Sequence, residues 1–225
     1  MSPEMSRIDL VLPCLDEGPS LRALLPRIPG GMRVIVADNG STDDTAEVAR
    51  AAGALVVHEP RRGYGAAVHA GVLATTAPIV VVMDGDGSID PDDIAPLVAL
   101  VRAGEADLAM GRRVPVRRGL VPWHARVGNR LVLALLRRRL GLDVGDIGPL
   151  RVVRREMLLD LGVTDRGMGY PVELLDRASR AGWRIVERDV AYLPRTAGTR
   201  SKVSGSVRGT LRTARDFGRV LAASS

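Results

Sequence analysis

The chain has 225 residues, a mass of 24.0 kDa, a net charge of +6 and a pI near 10.5; this length allows one well-filled core and makes one domain the default. With 46% apolar but only 3% aromatic residues, the composition is globular, predicts a core of Val, Leu, Ala and Ile, and lacks the stacking platforms of a nucleic-acid-binding module. The positive charge lies mostly in the second half and points to an anionic partner, a phosphate compound or an acidic lipid surface.

The single cysteine, Cys14, has no mate for an internal disulfide and adjoins a predicted buried strand. A core role in a reduced, cytoplasmic setting is expected. No signal-peptide pattern is present, and no window reaches the roughly 18 apolar residues needed to span a bilayer. Any membrane contact is therefore expected to be peripheral, on the inner face of the cell membrane.

In chain order, Ile8 to Leu12 reads as a first strand, followed by a loop from Pro13 to Pro19 and a helix through Leu21, Leu24 and Leu25. Arg33 to Ala37 is a second strand, after which Ser41 or Thr42 is expected to cap a helix carrying Thr45, Val48 and Ala49. Asp38 closes that strand, either as a ligand contact to a nucleobase or ribose hydroxyl or as a helix cap. Ala54 to Val57 forms a third strand, and Gly63-Tyr64-Gly65 precedes a helix from Ala66 to Ala74. A Gly-x-Gly at a helix start resembles a phosphate nest, but it follows the third strand and lacks the dinucleotide fingerprint.

Ile79 to Val82 is a β-branched run that reads as a strand buried on both faces. At its end stand Asp84, Gly85 and Asp86. A period of two turns both carboxylates the same way, and Gly85 and Gly87 are expected to keep bulk away from a ligand. Adjacent carboxylates repel unless a cation lies between them, which points to a hard divalent ion shared with phosphate oxygens. Asp90, Asp92 and Asp93 read instead as helix caps before Pro91 and beyond. Strands alternating with helices predict right-handed crossovers and a mostly parallel sheet.

In the second half, Ala106 to Met110 reads as a short strand and Gly111-Arg112-Arg113 as the start of a basic loop. Trp123 to Leu140 is a basic helix with Val127, Leu131, Leu135 and Leu136 on its apolar side, packed in the core or laid on an anionic membrane. Tyr170 to Glu173 begins another helix, Arg184 to Leu193 is extended, and Arg195 to Lys202 is a polar basic loop able to close over a diphosphate. Residues 1–205 form the expected domain. Residues 206–225 read as a basic amphipathic segment that touches anionic lipid, or as a solvated tail.

Four motifs in this order and spacing resemble the family 2 glycosyltransferases: Pro13-Cys14-Leu15-Asp16-Glu17, Asp38-Asn39-Gly40-Ser41-Thr42-Asp43, Gly63-Tyr64-Gly65-Ala66 and Asp84-Gly85-Asp86. The resemblance implies the GT-A fold, a Rossmann-like, mostly parallel α/β sheet flanked by helices, and a nucleotide-diphosphate-sugar donor. Pro13, Leu15, Glu17, Asp38, Gly65 and Gly85 would line the donor, and Asp84 and Asp86 would reach its ribose and metal-bound diphosphate, with Mg2+ or Mn2+ as the ion. Asp16 stands where the family usually has Asn, and Asn39 where a second Asp is frequent.

Asp146 to Arg151, Gly169 to Glu173 and Arg195 to Gly209 further resemble the branch containing polyprenyl-phosphate and dolichyl-phosphate glucosyl- and mannosyltransferases. That branch implies UDP-glucose or GDP-mannose as donor and a lipid phosphate as acceptor, attacking with inversion. Arg113, Arg126 and Asn129 match its acceptor-binding residues, with Arg112 an alternative to Arg113. The metal reached by Asp86, together with Arg195 or Lys202, would stabilise charge on the leaving diphosphate. A hydroxyl acceptor would instead need a base, and Glu173 is the candidate, unless it pairs with an Arg or the helix dipole. A nucleotidyltransferase would carry a Gly-rich phosphate loop after the first strand, which Pro13 to Glu17 is not.

Overall fold

The structure, a computed structural model, describes residues 8–117, 120 and 123–196; within 123–140 the side chains of residues 123–126, 132, 135 and 140 stand outside that description. Strands β1 (Ile8–Cys14), β2 (Arg33–Asp38), β3 (Leu55–His58) and β4 (Ile79–Met83) alternate with helices α1 (Gly18–Leu24), α2 (Thr45–Ala51) and α3 (Tyr64–Leu73). These four strands pair in parallel, as short apolar runs joined by crossover helices must. Then follow α4 (Ile94–Arg102), β5 (Leu108–Pro115), α5 (Trp123–Leu140), β6 (Leu150–Arg154), α6 (Arg155–Asp160), α7 (Tyr170–Arg180) and β7 (Ile185–Tyr192). The sheet order is β3-β2-β1-β4-β6-β5-β7. β6 runs antiparallel to both neighbours, and β7 lies parallel to β5 at the edge.

The sheet is covered on both faces, and the period of two divides each strand between them. Val81 and Met83 of β4 pack with Leu21 and Leu24 of α1 and Leu97 of α4. Val80 and Val82 pack with Val68 and Val72 of α3 and Leu174 and Leu175 of α7. Cys14 is buried in the first layer, as its place beside a strand predicts.

Four local expectations are corrected. β5 does not stop at Met110 but continues through Arg113 to Pro115, because β7 pairs with it along its whole length. Gly111 permits the close approach, since a Cβ there would meet both Val190 methyls at 2.9 Å. Residues 150–154, left without an element by the sequence, supply the antiparallel strand β6. Neither Ser41 nor Thr42 caps α2, whose N-cap position is Asp44 with no side-chain cap bond. On α5 the expected stripe divides: Leu136 is buried and Leu133 packs on the core, whereas Val127 is 46% and Leu131 68% exposed. Asp90, by contrast, caps as expected, accepting from the amide of Asp92.

The N-terminal ends of the parallel strands are tied by Asp9, which is buried and accepts from Arg33 Nε at 2.9 Å and Nη2 at 2.7 Å, and from the amides of Thr76 at 2.6 Å and Ala77 at 3.0 Å. Burial pushes this carboxyl up, but the Arg33 and amide bonds outweigh it and the net pKa is lowered. A lowered folded-state value contributes stability above the unfolded pKa, near 4, that is lost as pH falls further. Asp9→Ala strands two amides and is expected to cost about 3 kcal/mol, roughly 6–12 °C in Tm by calorimetry at pH 7, with the deficit closing below about pH 4. A pH-independent deficit would show that packing, not the charge, is what was lost.

Candidate active site

Four loops, those after β1 to β4, meet at the C-terminal edge of the parallel strands, where such sheets leave a crevice. The loops after β1 and β2 are laced together. Asp16, in the left-handed region at φ 48°, accepts from the amide of Thr42 at 2.7 Å and its hydroxyl at 3.1 Å, and its own amide donates to Ser41 Oγ at 2.9 Å. Both bonds go to one oxygen, Oδ1, which an Asn would also offer, so they do not distinguish Asp16 from Asn. Glu17 is buried, its amide bound to Thr45 Oγ1 at 2.8 Å and its carboxylate to Ser20 Oγ at 2.8 Å. Pro13 and Leu15 lie partly buried along the same edge.

Asn39 joins these loops to the one after β3. Its Nδ2 donates to the carbonyls of Glu59 at 3.1 Å and Arg61 at 2.8 Å, while its Oδ1 accepts from the amide of Gly63 at 2.8 Å. A carboxylate cannot donate to two carbonyls, so an aspartate would not serve here. Asp38 is buried and accepts from the amide of Ser41 at 2.9 Å, with His58 Nδ1 3.4 Å away. Burial works to raise its pKa, but Ser41 and His58 prevail and lower it. Asp38 is thus held ionised at the crevice and does not cap α2.

Asp84 and Asp86 follow β4. Burial, then the charge of Asp86, pushes the Asp84 carboxyl up to about 6, against the pull of Arg151, Arg113 and Arg195. Asp86 Oδ1 accepts from the amide of Ser88 at 2.9 Å and Oδ2 pairs with Arg195 Nη2 at 2.6 Å. Arg195, only 25% exposed, is carried there by the chain leaving β7, which crosses the acidic loop through an antiparallel bridge between Ile89 and Tyr192 and a bond from the amide of Leu193 to the carbonyl of Ser88 at 2.9 Å. Arg195 is thereby placed beside Asp86.

Of the two adjacent arginines, Arg113 points inward. Its Nε and Nη2 each lie 2.6 Å from the buried carboxylate of Asp146, and its guanidinium sits 5.7 Å above the Tyr192 ring. Arg112 points out and pairs with exposed Asp189 at 2.6 Å. Asn129 lies on α5 with its Oδ1 buried and without a hydrogen-bond partner among the described residues. Arg126 is in the first turn of α5, its side chain outside the described residues, and Lys202 is outside them altogether, as is the segment 206–225.

Three sequence readings give way. Gly63-Tyr64-Gly65 is no open phosphate nest: the amides of Gly65 and Ala66 donate to the carbonyls of Gly167 at 3.0 Å and Arg166 at 2.9 Å. Gly65 is small because a Cβ would meet the Asp165 carbonyl at 2.6 Å. Gly85 likewise serves the core, since its Cβ would meet Cys14 Sγ at 2.5 Å. Glu173, the candidate base, is buried and accepts from the Thr164 amide at 3.0 Å and hydroxyl at 2.9 Å, the Asp165 amide at 2.6 Å and Arg177 Nε at 2.7 Å. Burial opposes these bonds but they dominate, and its pKa is lowered. A carboxylate so occupied fastens a loop and is a poor proton acceptor.

Sequence reasoning assigned no role to Arg151, Tyr64 or Asp146. Arg151 is buried and donates from Nη1 to Tyr64 Oη at 3.0 Å; Tyr64 donates to Asp84 Oδ1 at 3.3 Å. An arginine opposite Val82 and Met110 in the sheet register was the available signal.

Asp84 and Asp86 fit a hard divalent ion. The raised Asp84 carboxyl marks a crowding of negative charge that a cation would relieve. No third His, Cys, Asp or Glu joins them among the described residues, so the remaining positions suit water and phosphate oxygens, the habit of Mg2+ and similar ions.

The fold and this edge define a glycosyltransferase of the GT-A class. More narrowly, the chain belongs to glycosyl transferase family 2, whose model matches residues 9–162. It is 58% identical over 214 residues to an uncharacterised glycosyltransferase of Mycobacterium tuberculosis, covering 95% of this chain and 97% of that one. It is 34% identical over 182 residues to a dolichyl-phosphate hexose transferase of Haloferax volcanii, covering 80% and 79%. Among solved structures it resembles glucosyl-3-phosphoglycerate synthase from M. tuberculosis in complex with Mn2+, UDP and glucosyl-3-phosphoglycerate, with a TM-score of 0.78, 26% identity and coverage of 96% and 79%.

Proposed function

We propose that this enzyme moves a hexose from UDP-glucose or GDP-mannose to a polyprenyl phosphate, with inversion. The observation that carries this reading is the convergence of Asp84 and Asp86 with two largely enclosed arginines, Arg195 and Arg113, at one sheet edge. Asp38, with Pro13, Leu15 and Glu17, holds the base and ribose. Asp84 and Asp86 hold Mg2+ or Mn2+, which when bound neutralises charge on the departing diphosphate. Arg195 exchanges its pairing with Asp86 for the diphosphate and stabilises the same charge. Arg113, kept in place by Asp146, holds the acceptor phosphate together with Arg126 and Asn129.

A lipid phosphate is ionised at neutral pH and attacks without a general base. This agrees with a site in which Glu173 is fully occupied elsewhere. The exposed face of α5, with Val127 and Leu131 beside exposed Arg130 and Arg138, suits peripheral contact with an anionic bilayer. No helix of the described residues is long and apolar enough to cross a membrane.

The likeness to glucosyl-3-phosphoglycerate synthase favours a second reading, transfer to a soluble phosphorylated acceptor. Radiolabelled sugar supplied with Mn2+ decides between them. Label entering polyprenyl phosphate in detergent, and none entering 3-phosphoglycerate, is the expected result; the reverse pattern would discard the lipid acceptor while retaining the donor site.

A further inference from the structure

Resting on that donor-site reading, we infer that Tyr64 and Arg151 are positioning residues for Asp84: they tie down its Oδ1 and leave Oδ2 as the oxygen available to the metal-bound donor. Hydrogen-bond direction carries the argument. A guanidinium only donates, so Tyr64 Oη, 3.0 Å from Arg151 Nη1, must accept there. Its single proton is then free to serve Asp84 Oδ1, 3.3 Å away. The order Arg151 to Tyr64 to Asp84 runs one way only. Asp84 Oδ2 carries no hydrogen bond from the described residues.

Both members of the pair are built in. Arg151 rises from β6 between Val82 of β4 and Met110 of β5, into the layer shared with α3 and α7. Burying a guanidinium in such a layer is costly, and its register neighbours show that apolar residues fill the space. Nη2 is satisfied by the carbonyl of Ile147 at 3.0 Å, while Nε has no partner. An arginine retained on these terms serves the hydroxyl it orients. Tyr64 opens α3 between Gly63 and Gly65, and the backbone there is pinned to residues 166 and 167, which fixes the base from which the phenol reaches Asp84.

The test is Tyr64→Phe, which keeps the ring and removes the hydroxyl. Two affinities are measured by calorimetry: Mn2+ in the presence of saturating UDP, and UDP in EDTA. The inference expects Mn2+ to bind about tenfold more weakly, as for loss of an outer-shell partner, with UDP in EDTA unchanged. Equal weakening of both would make the pair a structural support, and no change in either would remove Tyr64 from the site. Should Tyr64→Phe fold poorly with Arg151 left unpaired, Tyr64→Phe with Arg151→Met removes donor and acceptor together; the same selective loss of Mn2+ is expected. Wild-type protein that shows no Mn2+-dependent UDP binding would instead defeat the donor-site reading itself.

Discussion

Asp86→Ala is expected to weaken Mn2+-dependent binding of UDP-glucose or GDP-mannose by two to three orders of magnitude, on the order of 10²–10³, while leaving the protein folded. Both halves of this expectation follow from the same geometry. Asp86 is one of two carboxylates available to the ion, and no third His, Cys, Asp or Glu among the described residues replaces it. Its removal also frees Arg195, which pairs with it at 2.6 Å. Stability falls only in part, because two effects oppose: the Ser88 amide and Arg195 lose their acceptor, but the charge that, after burial, pushes Asp84 up to about 6 is removed. Calorimetric titration with each nucleotide sugar, with Mn2+ and with EDTA, measures the effect alongside a melting curve. Undiminished metal-dependent binding in a folded Asp86→Ala protein would sink the assignment of the ion to this pair.

Glu173→Ala is expected to act in the opposite sense, costing about 3–5 kcal/mol of stability and roughly 6–20 °C in Tm while sparing the chemical step. Truncation leaves the Thr164 and Asp165 amides and the Arg177 guanidinium without their acceptor. The pKa direction fixes the pH dependence. A carboxyl lowered in the folded state contributes stability above its unfolded value, near 4.3, and loses it as pH falls through the folded value. The Tm deficit of the variant should therefore be full at pH 7 and shrink below about pH 4. Turnover per folded molecule should stay within about tenfold of wild type. A catalytic base would show the reverse, a 10²–10⁴-fold rate loss at unchanged Tm, and that outcome would restore Glu173 to the chemistry.

The contrast between these two carboxylates marks the division between what was legible in the sequence and what was not. Asp84 and Asp86 end a β-branched run, and the edge where such a run stops is where α/β sheets bind ligands; position along the chain was enough to single them out. Glu173 stands at a helix start near a Tyr-Pro pair, and although Arg177 is a visible i,i+4 partner, its amide donors lie in the preceding loop, whose path back to α7 no local pattern announces. Gly65 and Gly85 show the same limit. Their small size is visible in the sequence, but the atoms a Cβ would strike, the Asp165 carbonyl and Cys14 Sγ, belong to segments brought there by the fold.

The class of fold, the parallel β1 to β4 half, the family and the acidic pair at its edge were readable along the chain, because periodicity, turn residues and short motifs act over a few residues. The packing of the folded chain settles which arginine of Arg112 and Arg113 faces inward, that β6 runs antiparallel through the middle of the sheet, and that Arg195 reaches Asp86. It also joined Arg151 to Tyr64, 87 residues apart. A buried charge takes its partner from whatever element packs against it, and that choice is made by sheet order and register, which single-sequence patterns do not encode.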